Sequence, residues 1–185
     1  MHRNLIMKLL EDYALDYPSE EESTSRFQKF VKIDPNCFKR TLQIGHVTSS
    51  AWVISKDFQD VLLTHHRNLN IWIQLGGHVD GNPDVGKEAL REVKEESGIN
   101  SIKLISDKLF DIDIHKIPEI GNEPEHYHYD ARFLIQSNSR DYKISEESLD
   151  LAWVPIRNLE VFTDETSILR MRKKQPDFLS RINQS

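Results

Sequence analysis

The sequence predicts an α/β protein, and three observations carry that expectation. Segments of strand composition alternate with amphipathic segments of helical period, on both sides of a glycine pair at Gly76 and Gly77. One helical segment follows those glycines directly, and another closes the chain. A length of 185 residues with 38% hydrophobic content fits one globular unit with a full core.

Taken in order, Leu5, Ile6, Leu9, Leu10 and Tyr13 mark a first amphipathic helix, which Pro18 ends. Ser19 with Glu22 reads as a capping box for a second helix holding Phe27, Phe30 and Val31. Asp34-Pro35-Asn36 is a loop, and Thr41 to Ser55 has strand composition. Val61 to Thr64 and Ile71 to Ile73 read as strands leading into a glycine loop at Gly76-Gly77. The next helix has Asn82 as N-cap and Pro83 as its first residue, and it stops at Gly98-Ile99. Gly86 weakens its interior by roughly 1 kcal/mol against alanine, and either close backbone approach or drift accounts for its presence. Lys103 to His115, Tyr127 to Gln136 and Leu151 to Val154 read as strands, with a loop from Pro118 to Pro124. A last amphipathic helix runs from about Asp164 to Ile182, kinked or split at Pro176.

The chemistry concentrates in the central helix. Glu92, Glu95 and Glu96 sit at i, i+3 and i+4, so their carboxylates are expected on one face in one small volume. At 4 Å and an effective dielectric near 20, each such like-charge pair repels by roughly 4 kcal/mol. A solvated acidic face is the bland reading, but it accounts for neither the glycine pair nor apolar Ala89, Leu90 and Val93. A divalent cation relieves the repulsion, and hard carboxylate oxygens with substrate phosphate are what Mg²⁺ prefers.

Gly77, Arg91-Glu92-Val93, Glu95-Glu96 and Gly98-Ile99 resemble the Nudix box, G-x5-E-x7-R-E-U-x-E-E-x-G-U with U aliphatic. The box departs once: Pro83 stands where the pattern has its first glutamate, with Asp84 just after it. The wider resemblance runs from about Thr41 to Leu159. It implies an α/β/α sandwich with a mixed sheet over residues 41–185, with residues 1–40 as a helical extension packed on it. It also implies a pyrophosphohydrolase that cleaves a phosphoanhydride in a nucleoside diphosphate linked to another moiety. The cofactor implied is Mg²⁺, with Mn²⁺ able to substitute, held by Glu92, Glu95, Glu96 and the carbonyl of Gly77. Glu92 and Glu95 would act in catalysis. Arg91 would orient the helix carboxylates, and Glu147 or another downstream carboxylate (Glu146, Asp130, Glu125) would assist. Of the two carboxylates near Pro83, Glu88 is the better compensating group, because it points to the face of Glu92.

Around Tyr127 to Phe133 the pattern has a period of two, placing His126, His128, Asp130 and Arg132 on one face. Two histidines and a carboxylate could hold a transition metal. A cleft lining that meets phosphate is the stronger expectation, with His126, His128, Arg132 and His78 as substrate-binding residues. Trp72, Phe110, Tyr127 and Tyr129 are candidates to stack on a nucleobase.

A net charge of −6 argues against general affinity for nucleic acid, which also disfavours an RNA-decapping role. The single Cys37 excludes an internal disulfide and is a weak candidate for the thiol that isopentenyl diphosphate isomerase, within this fold, would need. Leu5-Ile6-Met7 is broken by Lys8, so neither a secretory leader nor a membrane span is expected, and the location expected is cytoplasmic. The expected partner is a small phosphorylated nucleotide derivative, with a homodimer left open. A Nudix-fold binding or regulatory protein with weak catalysis is the alternative that Pro83 raises.

Overall fold

The computed structural model describes residues 2–119, 121, 124–146 and 148–183. Helix α1 (Asn4–Asp16) turns through a 3₁₀ segment (Pro18–Glu20) into α2 (Glu21–Ile33). Strands β1 (Gly45–Ile54), β2 (Asp60–His66), β3 (Trp72–Ile73) and β4 (Leu75–His78) lead to helix α3 (Val85–Ser97). Beyond it come β5 (Ile102–Leu104), β6 (Asp111–Ile117), β7 (His126–Ser137), β8 (Ser148–Pro155), a 3₁₀ segment (Ile156–Val161) and α4 (Thr166–Ile182).

The strands form one mixed sheet whose spine is β3-β2-β1-β7-β5, with β4 on β1, β6 on β7 and β8 on β2. Only the central β1–β7 pair among the described strands is parallel, and its register places His46 beside His128 and Thr48 beside Asp130. Alternation along β1 and β7 sorts side chains into two cores. Val47, Ala51, Val53, Tyr129, Ala131 and Phe133 join residues of α1, α2 and α3. Trp52, Ile54 and Leu134 join Ile168, Met171 and Phe178 of α4. The result is the expected α/β architecture, helices on both faces of a mixed sheet, with two helices before it.

Several local expectations are corrected. Residues 41–44 form turns, since Leu42 N–H donates to Lys39 and Gly45 N–H to Leu42, so β1 starts only at Gly45. The expected strand over 103–115 is two strands on β7, because residues 106–109 leave it between the Ile105 N–H bond to Leu134 and the Phe110 N–H bond to Arg132. Ser19 makes no capping box: Glu20 is the N-cap, without a side-chain cap bond. Helix α4 runs on through Pro176 as one element.

The N-terminus of α3 also lies later than expected. Asp84 is the N-cap, its carboxylate accepting the Lys87 N–H at 3.1 Å. Asn82 instead accepts the Asp84 N–H at 3.1 Å, so Pro83 precedes the helix instead of opening it. At the other end Gly98 adopts φ 68° and returns its N–H to Lys94, as expected of a glycine stop.

Candidate active site and an adjoining histidine cluster

The expected glycine loop is a strand. Gly76 and Gly77 lie in β4, opposite Ser50 and Ser49 of β1. A Cβ on Gly76 would come 2.2 Å from the Ser50 Cβ, and one on Gly77 would come 2.8 Å from the Glu92 carboxylate. Glycine is therefore what lets β4 lie close to β1 on one side and to α3 on the other. Ser49 fastens the same layer by donating its hydroxyl to the Val85 carbonyl at 2.6 Å.

Arg91 organises the carboxylates. It donates to Glu88 at 2.5 Å, to Glu92 at 2.6 Å, to Glu95 at 2.6 Å and to the His78 carbonyl at 2.8 Å. The other oxygen of Glu88 accepts from the Asn82 amide at 2.6 Å. Glu96 accepts the Gly76 N–H at 3.0 Å. Glu88, Glu92 and Glu96 are buried, while Glu95 lies at the exposed edge. Partial burial works against the Arg91 charge, but Glu88, Glu92 and Glu95 outweigh it and hold the guanidinium protonated. Glu88, Glu92 and Glu95 gather on Arg91, so one cation faces three carboxylates, while Glu96 is held apart from it, tied to the β4 backbone by the Gly76 N–H. Asp84 is committed to the helix cap, whereas Glu88 shares Arg91 with Glu92.

These donors suit a hard divalent ion. Glu92, Glu95 and Glu96 offer carboxylate oxygens, and the missing side chain at Gly77 leaves its backbone open beside Glu92.

The downstream candidates divide. Glu147 lies outside the described residues. Glu146 is exposed, Glu125 is exposed and paired with Lys116, and Asp130 is buried in hydrogen bonds to Thr48, Ser50 and Arg132. Arg132 differs most from expectation. It does share a face with His126 and His128, but its side chain is 2% exposed and spent on Asp111, Asp113 and Asp130. Burial opposes its charge and the three aspartates restore it, so it braces the sheet and faces no cleft. The network continues through Arg170 and Lys174 of α4 and Tyr13 of α1. Among the aromatic candidates, Phe110 is core and Tyr129 stacks on Phe30 at 3.9 Å, so neither can receive a base. Trp72 and Tyr127 remain partly exposed, Trp72 against His65 and Tyr127 beneath Arg26. Cys37 is buried, and burial pushes its thiol up to about 11, which leaves no nucleophile for isomerase chemistry.

His78, His126 and His128 come together, but with a partner the sequence reading missed. His46 of β1 lies between them, its ring centroid 4.9 Å from His78, 4.9 Å from His126 and 4.8 Å from His128. His46 stood in the sequence as a lone histidine inside a strand-like segment, a weak signal. Only the parallel pairing of β1 with β7 places it beside His128.

No family model matches the sequence, and no curated protein matches it either. Solved structures do. A C. elegans Ap4A hydrolase in a binary complex is 19% identical over 72% of this chain and 97% of its own, with a TM-score of 0.56. A hydrolase of the NUDIX family from Clostridium perfringens is 25% identical over 72% of this chain and 97% of its own, with a TM-score of 0.53. The NUDIX domain of Shewanella oneidensis NrtR, complexed with ADP ribose, is 17% identical over 82% of this chain and 97% of its own, with a TM-score of 0.54. At these identities the likeness is one of fold.

Proposed function

We propose, for a chain that has the Nudix fold and a Nudix-like box over residues 77–99, that it hydrolyses a phosphoanhydride bond with Mg²⁺. The substrate class is a nucleoside diphosphate linked to another moiety. The observation that carries the reading is the Arg91 junction, which draws Glu88, Glu92 and Glu95 to the edge of β4 where Gly77 leaves room for Glu92. That the C. elegans protein is an Ap4A hydrolase and the Shewanella domain is complexed with ADP ribose supports the substrate class.

Glu92, Glu95, Glu96 and the Gly77 carbonyl would hold the ion. When bound, it offsets phosphate charge and lowers the pKa of a water. The chain supplies the rest. Arg91 keeps Glu92 and Glu95 from splaying apart, and Glu88, clamped between Asn82 and Arg91, fixes the guanidinium. Glu95, the exposed member, would take a proton at its carboxylate from an attacking water.

The test is a panel of dinucleotide polyphosphates, nucleotide sugars, ADP-ribose and nucleoside triphosphates, assayed with Mg²⁺ or Mn²⁺. Glu92→Gln should melt like the native protein yet lose metal-dependent phosphate release by orders of magnitude; unchanged turnover would reject the assignment. Pro83 favours a second reading, a Nudix-fold binding protein with weak catalysis. Tight nucleotide binding without turnover across the panel would select it.

A further inference from the structure

We propose that His46, His78 and His128 form a second metal site, for a borderline divalent ion of the Zn²⁺ class, on the side of β4 opposite the carboxylates. One nitrogen from each of the three lies within 4.8 Å of the others, and among the described residues they are the His, Cys, Asp or Glu group gathered this closely. In a tetrahedral zinc site, nitrogens at 2.0–2.1 Å from the ion stand roughly 3.3 Å apart, so rotation of the rings closes the set.

His46 gives the independent argument. It is 2% exposed, and neither of its buried ring nitrogens makes a hydrogen bond of ordinary length, the Leu42 backbone being its one weak polar neighbour. A buried polar atom with no partner is costly, and an ion bound to His46 removes that cost at one nitrogen. His126 brings a fourth donor. Its Nδ1 faces the Pro124 carbonyl at 2.9 Å and so carries the proton, which leaves the Nε2 lone pair directed at His128 Nε2, 3.2 Å away. An imidazole anchored through its other nitrogen to a carbonyl is the usual posture of a zinc-bound histidine. A cavity of about 60 Å³ adjoins the cluster, walled by His46, His78 and His126, though not by His128, together with Arg40 and Gln43.

Neutral imidazoles are the ligand form. Burial, with His78 and His126 alongside, lowers His46 to about 4; burial, with His46 and His115 nearby, lowers His128 to about 2. A hard ion such as Mg²⁺ has little use for such a set, whereas imidazole suits Zn²⁺ and Co²⁺. The bound ion would tie β1, β4 and β7 together directly behind Gly77. The carbonyl of His78 also accepts from Arg91, so the site adjoins the carboxylates through a single residue.

Co²⁺ tests this by its visible absorption. The metal-free full chain should bind one Co²⁺ with an intense tetrahedral band, which one equivalent of Zn²⁺ abolishes. Glu92→Gln and Glu96→Gln should keep that band. His128→Asn and His78→Asn, on surfaces less enclosed than His46, should lose affinity at least about tenfold while retaining native circular dichroism. Absence of the band in the native chain, or its persistence in both histidine variants, overturns the proposal. Mg²⁺-dependent turnover is measured separately, so hydrolysis and the histidine site can fail independently.

Discussion

On one side of β4, Gly77 lies against Glu92 in a setting of carboxylates held by a guanidinium; on the other, His78 lies among neutral imidazoles. The two residues are adjacent in sequence, and strand alternation alone sends them to opposite faces. The carboxylate side is charged, built on one helix and open at Glu95. The histidine side is assembled from three strands and its central ring is buried. A helix face with period 3.6 can gather oxygen donors locally, whereas a nitrogen set of this kind needs strand pairing across distant sequence.

The largest effect is expected where the histidine face runs on into the buried ion-pair network. Arg132→Met should destabilise by about 3–5 kcal/mol, because it leaves Asp111 and Asp113 short of a partner inside the sheet–α4 layer. The same network sets an acid limit. Burial would raise the Asp111 carboxyl, but Arg170, Arg132 and Lys174 hold it well below the usual range; Asp113, beside His115, Arg132 and Arg170, is held down likewise. Tyr13 of α1 and Glu20 also face Lys174 there. Carboxyls depressed in the folded state contribute stability above their unfolded pKa near ~3.9, and that stability disappears as pH falls through the folded values. Urea midpoints of the native chain should thus fall steeply below about pH 4, and Arg132→Met should flatten that limb. An unchanged limb would show that Arg132 does not hold these carboxyls.

On the other side of β4, Gly77→Ala should act on activity more than on stability. The added methyl would meet the Glu92 carboxylate at 2.8 Å, and the end of a flexible side chain moves before a strand does. Phosphate release should fall about 10²-fold or more, since misplacement near 1 Å carries that penalty, with the melting temperature nearly unchanged. A large melting shift with activity intact would mean that the glycine serves β4 packing alone.

How much of this was legible follows the same division. The central helix, its Gly98 stop and the Arg91–carboxylate pairing were readable because every partner lies within a few turns. The period of two along residues 126–132 was also readable, and it put the right residues on one face. What it could not give was depth. Arg132 has the alternation of a cleft residue, but Asp111 and Arg170, distant in sequence, enclose it. His46 was missed because its neighbours come from a parallel pairing 82 residues away, which no local pattern encodes. The helix N-terminus slipped by two residues because Asn82 and Asp84 are both good caps, and Asn82 is taken up by Glu88.

That slip gives a sharper test within the carboxylate side. Asp84→Ala should cost about 1 kcal/mol of stability through the lost cap and leave Mg²⁺ dependence unchanged. Glu88→Gln should weaken Mg²⁺ dependence several-fold, because it loosens Arg91 from one of its three glutamates. Titrating both variants with Mg²⁺ separates the roles, and a larger loss in the Asp84 variant would remove Glu88 from the site.

The smallest effect concerns Gly86, in the first turn of α3, where the sequence left close approach and drift undecided. A Cβ there would meet Phe133 at 3.5 Å and Leu104 at 3.6 Å, ordinary van der Waals distances in a layer already apolar. No backbone atom of β1 or β7 stands among those nearest contacts, so this glycine differs from Gly76, whose β1 neighbours forbid a methyl, and from Gly77, whose added methyl would displace the Glu92 carboxylate. Drift is the explanation the packing supports. Gly86→Ala should therefore stabilise the protein by up to about 1 kcal/mol through helix propensity, with turnover unchanged because no carboxylate touches that position. A fall in the urea midpoint would show instead that the α3–sheet spacing is set by the missing methyl.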